Sequence, residues 1–183
     1  MRKTIATLAL AATAVGVAAL PAAADGHMDE PNIVEAAIAA NSDPASPLYE
    51  ELDSLIAAVV RADLVGALSA DRNLTVFAPV DSAFDAIGLT PDVIEGLTDE
   101  AVANVLVPVL LYHVAPGERF AADVVSAKQI RTLSKGFIGV KVDDMGAFLV
   151  DKNEDSPDAE IIATDVDVSN GVIHVIDQVL LPA

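Results

Sequence analysis

The sequence predicts an α+β domain, and three observations carry that reading. Apolar residues recur with helical spacing through the first half of the chain, and short strand-like runs fill the second half. An Asn170-Gly171 pair stands between two alternating apolar runs near the C-terminus, a strong short-range hairpin signal. Helices first and strands later argue against an alternating α/β sheet, and no internal repeat is visible.

In chain order, residues 32–40 suit a short helix with Ile33, Ala37 and Ile38 inward, and two prolines make residues 41–47 a loop. From Leu48 onward, Leu52, Leu55, Ile56 and Val59 form one apolar stripe of an amphipathic helix, and residues 64–68 add another apolar turn. Residues 74–78 read as a buried strand stopped by Pro79. Asp81 is placed to cap a helix over residues 82–87 with its carboxylate. Thr90-Pro91 and Thr98-Asp99-Glu100 are two further helix starts. The last of these helices is apolar almost all round, through Val102, Val105, Leu106, Val109 and Leu110, so it should be buried. Pro108 lies inside it and predicts a break or kink near Val107. Strands follow at residues 129–133, 137–142, 147–150 and 160–163, and the closing hairpin pairs 165–168 with 172–176. At its turn, Asn170 and Gly171 are both expected to take positive φ.

The N-terminus is read separately. Arg2 and Lys3 precede a run over residues 5–20 that is apolar except for threonines and one glycine, and Pro21, Ala22 and Ala24 follow. A charged start, a short apolar middle and an A-x-A exit make an export signal over residues 1–24, with Asp25 the expected mature start. A membrane anchor needs roughly 20 strongly apolar residues, whereas this run is largely alanine with an acidic flank. Residues 25–31 form a flexible leader, and residues 32–183 one domain, secreted or periplasmic, with no membrane insertion after cleavage and a monomeric state expected. There is no cysteine, so disulfides and a cysteine-linked lipid are excluded and packing alone must supply stability.

Charge narrows the partners. The formal net charge is −18, and loss of Arg2 and Lys3 makes it two units more negative. Such a surface repels nucleic acid and anionic membranes and favours solubility.

Three segments stand beyond generic patterning: TVFAPVDSAF at Thr75–Phe84, LLYHVAPG at Leu110–Gly117, and NGVIHVIDQVLLP at Asn170–Pro182. In this order and spacing they resemble the fasciclin-type domain, whose signature is two blocks with a Tyr-His pair between them. The resemblance runs from Asn32-Ile33-Val34 to Pro182. It implies a compact wedge-shaped β-sandwich with helices packed at one end. It also implies adhesion or matrix contact, through protein or polysaccharide, without catalysis. In receptor-binding relatives the Tyr-His region and an Asp-Ile pair are implicated. These correspond to Tyr112 and His113, and to Asp165 with Val166 in place of isoleucine. The fuller receptor motif has Glu-Pro before that pair and Met after it. Ala163, Thr164 and Asp167 stand there instead, so animal-type integrin recognition is not expected.

Other chemistries find little support. Asp151, Asn153 and Asp155 match positions 1, 3 and 5 of a calcium loop, but Ser156 and Ile162 stand where glycine and glutamate are required. At most, loose calcium association is expected, and three scattered histidines without cysteine make no zinc site. His113 and His174 read first as core polar groups, and His27 lies in the leader. No nucleophile elbow, phosphate loop or cysteine nucleophile is present. Asp165 and Asp167 share a strand face, but sugar-cleaving clefts use aromatic platforms and the chain has no tryptophan. The reading is a non-enzymatic interaction domain without cofactor, recognising a surface protein or polysaccharide. The alternative is a stand-alone periplasmic small-molecule binder or stress-related protein on the same scaffold.

Overall fold

The computed structural model describes residues 30–144, 146–151, 153 and 156–182. The expected export signal and the leader up to residue 29 lie outside the described residues, as does Asp155 of the calcium pattern.

Helix α1 (Ile33–Ser42) opens on a capping box: the Asn32 side chain accepts from the amides of Val34 and Glu35, while Glu35 accepts from Asn32 N–H. Ile33 is buried, but Ile38, expected inward, is 45% exposed. Helix α2 (Asp53–Arg61) starts five residues later than the apolar stripe, because Leu48 lies in the preceding turns; Leu55 and Val59 are buried as expected. Helix α3 (Val65–Leu68) is one turn. Strand β1 (Leu74–Pro79) is buried at all six positions.

Asp81 corrects an expectation. It opens helix α4 (Asp81–Ala86) but makes no cap there. Its carboxylate instead accepts from Asp53 N–H at 3.2 Å and Ser54 N–H at 2.8 Å, capping α2 from across the fold. Helix α5 (Pro91–Glu95) begins with proline at its first turn, and the Thr98 hydroxyl caps helix α6 (Asp99–Ala101). A π-helical turn over Val102–Leu106 then leads into α7 (Val107–Tyr112). Pro108 therefore does not break the helix. The Val107 amide bonds the Val102 carbonyl, five residues back, and that widened turn accommodates a proline that cannot donate. Val105 is 57% exposed rather than buried, so the helix is two-sided after all.

Strand β2 (Val114–Pro116), helix α8 (Ala121–Ser126), and strands β3 (Gln129–Arg131), β4 (Phe137–Asp143) and β5 (Gly146–Val150) follow. The two separate runs expected at 160–163 and 165–168 are one strand, β6 (Ala159–Val168), interrupted by register shifts between Ile161 and Ala163 and between Ala163 and Val166. It pairs antiparallel with β7 (Gly171–Ile176), every residue of which is buried.

The seven strands hydrogen-bond in the order β2-β1-β7-β6-β5-β4-β3, an open sheet in which β1 and β7 run parallel. The sheet curls around one core. Phe77, Ala115, Ile130, Ile138, Leu149, Ala159 and Ile176 supply one residue from each strand to it, joined by Tyr112, Val124 and Leu180. A second core lies between α1–α7 and the other face of β1 and β7, around Leu55, Val76, Phe84, Leu106 and Val175. This is the α+β architecture expected, with helices on one side of a folded sheet.

The closing turn also differs from expectation. Val168 pairs with Gly171, so the two-residue loop is Ser169-Asn170, and Asn170 does not have positive φ. Asn170 is there for its buried side chain. Its Oδ1 accepts from Ile33 N–H at 2.9 Å, and its Nδ2 donates to the carbonyls of Leu68 and Ala70 at 2.7 and 3.0 Å. Gly171 is required by close approach: at φ +155° a Cβ would lie 2.0 Å from the Leu74 carbonyl oxygen on β1.

Candidate functional site

The four residues singled out in the sequence fall into two pairs. Tyr112 and His113 end α7 inside the fold. The Tyr112 ring packs on Gly136, where a Cβ would come within 2.6 Å of it. Its hydroxyl donates to the Phe137 carbonyl at 2.9 Å, tying α7 to β4. Only 2% of its surface is exposed, and burial, then the nearby Asp151 charge, raise its pKa above 10.0.

His113 is 3% exposed, and both ring nitrogens are engaged. Nδ1 lies 2.8 Å from the Val109 carbonyl and Nε2 accepts from Leu180 N–H at 2.9 Å. That geometry fixes the neutral tautomer with its proton on Nδ1. Desolvation lowers the pKa from 6.5 to about 4, partly opposed by the Val109 carbonyl. The His113 carbonyl accepts from Phe77 N–H at 2.9 Å. One residue thus joins α7, β1 and the C-terminal tail, the three segments that carry the sequence signature.

Asp165 and Val166 lie on β6, which β7 separates from β1. At the second register shift Asp165 takes φ +60°, where the short polar side chain of Asp is better tolerated than most. The strand alternation stops there, so the shared face expected for Asp165 and Asp167 is not that of a regular strand. Asp165 Oδ1 accepts from Ala121 N–H at 2.6 Å and so caps α8 from a distant strand. Its own N–H points to Nδ1 of His174 at 3.3 Å, while His174 Nε2 lies 2.7 Å from the Arg119 carbonyl. His174 is fully buried, stacked on Phe77 with ring centroids 5.7 Å apart, and carries its proton on Nε2, opposite to His113.

No hydrogen bond among the described residues joins Tyr112–His113 to Asp165–Val166; Phe77 lies between, bonded to one histidine and stacked on the other. The surface around Asp165 is partly apolar. Val166 is 37% exposed, and Phe120, brought alongside by the Asp165–Ala121 bond, is 39% exposed. Phe120 went unnoticed in the sequence because it begins a helix that has no local cap; only the fold brings it to Asp165.

The acidic loop after β5 is used structurally. Asp151 Oδ1 accepts from Asn153 N–H at 2.9 Å and Oδ2 from Leu181 N–H at 2.8 Å, pinning the C-terminal tail. Among the described residues, no cluster of three His, Cys, Asp or Glu side chains has metal-site spacing, and no helix is long and apolar enough to cross a membrane.

These features define an open-sheet α+β domain whose polar core groups hold strands together. The comparisons with known proteins give that class its family. The Fasciclin domain profile matches residues 50–182, and the chain belongs to the fasciclin-domain family. It is 46% identical to Protein sll1483 of a Synechocystis species, over 73% of this chain and 68% of that one. It is 31% identical to the Immunogenic protein MPB70 of Mycobacterium bovis, over 100% of this chain and 98% of that one. Among solved structures, a FAS1 domain pair from the insect cell adhesion molecule Fasciclin I superposes with TM-score 0.63 at 20% identity, covering 82% of this chain and 51% of that one. That likeness is one of fold.

Proposed function

We propose that the protein is exported and acts as a non-enzymatic interaction domain, contacting a surface protein or polysaccharide through β6 around Asp165 and Val166. The observation that carries the reading is the contrast within one hairpin: β7 is buried at every position, whereas residues 164–167 of β6 are all exposed. Asp165 is held by two hydrogen bonds, accepting from Ala121 N–H and donating its own N–H to His174 Nδ1, so little ordering entropy would be lost on contact. Phe120 and Val166 supply the apolar area that an interface centre needs. Tyr112 and His113 act from beneath, by holding the sheet and the C-terminal tail in place. Family membership supports adhesion over catalysis.

The test uses beads coated with the protein, presented to whole producing cells and to arrays of surface glycans. Binding should be saturable and should fall at least about tenfold in Val166→Lys, with an unchanged circular dichroism spectrum; removal of one interface-centre side chain typically has that size of effect. Equal binding by Val166→Lys would place the contact elsewhere. Intact mass of the exported protein should begin at Asp25, and a full-length species held in membranes would contradict export by cleavage.

A further inference from the structure

A cleft of about 400 Å³ opens between α1, α2, α3 and the helix-facing side of β1. Its walls are almost wholly aliphatic, and its volume falls within the range of small-molecule sites, about 300–1,000 Å³. Ile38, Val60, Val65 and Leu133 line it while remaining 36–62% exposed. This accounts for Ile38, whose apolar side chain belongs to the stripe of α1 yet is not covered. Isolated exposed apolar residues need no explanation, but several converging on one concavity do.

The chemistry of the lining narrows the occupant. His113 reaches the wall, but its nitrogens are spent on Val109 and Leu180. The interior therefore offers a ligand almost nothing to hydrogen-bond, and a heterocycle or sugar would leave its polar groups unpaired. Arg72 is the one charged residue of the lining. It is exposed, and among the described residues no side chain or carbonyl pairs with its guanidinium. A lone cation beside an apolar cleft, in a chain of net charge −18, is complementary to an anion carried on a hydrocarbon tail.

We propose that this cleft binds an aliphatic carboxylate, its chain lying against α1–α3 and its head group paired with Arg72. The site is independent of the β6 contact surface, and either can hold without the other.

Calorimetric titration with decanoate and with decanol tests it, on protein purified from producing cells with its N-terminus read by mass. Both should saturate at one site per chain, because the tail supplies the contact. Arg72→Gln should weaken decanoate about threefold and leave decanol unchanged, the size expected of a solvent-exposed ion pair. Ala37→Trp fills the cleft from α1 and should abolish both titrations without lowering the melting temperature. Arg72→Gln changes an exposed side chain with no partner in the fold, so it remains informative if Ala37→Trp does not fold. Absence of saturable heat, or equal decanoate affinity in Arg72→Gln, would overturn the proposal. So would a sedimentation dimer that decanoate leaves intact and Ala37→Trp disperses, which would give the cleft to a second copy.

Discussion

Strands β6 and β7 are two arms of one hairpin, yet they meet opposite demands. Strand β7 lies between β1 and β6, runs parallel to one and antiparallel to the other, and hides every side chain. Strand β6 slips register twice along that same partner and turns residues 164–167 to solvent. The difference teaches how a small domain without disulfides can display a surface. One strand takes the packing, and its neighbour is free to bulge because the first holds the register.

Substitutions should separate the two arms. The largest effect is expected at Gly171, where even alanine would force its Cβ to 2.0 Å from the Leu74 carbonyl and part β1 from β7. Gly171→Ala should cost about 4 kcal/mol, a large share of the about 5–15 kcal/mol that holds an ordinary domain folded, and chemical denaturation would register it as an early midpoint. Asn170→Ala comes next. It strands the buried Ile33 amide and the Leu68 carbonyl, while the Ala70 carbonyl keeps the Arg72 N–H, for about 3 kcal/mol by the same measurement. If either change proved neutral, β7 and its turn would not be the framework claimed.

The buried histidine under β1 sharpens the comparison through pH. His113 takes up its proton near 6.5 when unfolded but resists it to about 4 in the fold. The unfolded chain therefore binds more protons between those values, and stability is lost as the pH is lowered across that window, by an amount on the order of 3 kcal/mol at its foot. The contribution is complete above pH 6.5 and gone by about 4. Melting of the wild type relative to His113→Gln should show that loss. Long-range ¹H–¹⁵N spectra at pH 6 should show His113 neutral with its proton on Nδ1. A charged His113 at pH 6 would break the account of its burial. The smallest effect belongs to β6: Val166→Lys should shift stability by under about 0.5 kcal/mol, checked by the same denaturation midpoint.

Local patterning made most element types legible, along with the helix start at Thr98, the buried strand at residues 74–78 and the burial of His113 and His174, but it did not show helix α8. What escaped the sequence was whatever one segment does for a distant one. Asp81 had the right neighbours to cap its own helix, but the amides it meets belong to Asp53 and Ser54. Asn170-Gly171 had the look of a positive-φ turn, yet Asn170 is chosen by Ile33, Leu68 and Ala70, and Gly171 by Leu74. Phe120 could not be grouped with Asp165 before the α8 cap was known, since the cap crosses 44 positions. Ile38 and Val105 were assigned inward on periodicity alone, which fixes a helix face but not whether anything covers it.

Native-state hydrogen exchange across the hairpin tests the central division most directly. Amides of β7 are expected to exchange only through global unfolding. Thr164 and Asp167 on β6 should exchange by local opening, with protection at least about a hundredfold lower. Equal protection on both arms, tracking denaturant with the same slope, would contradict the claim that β7 carries the fold and β6 is released to present a surface.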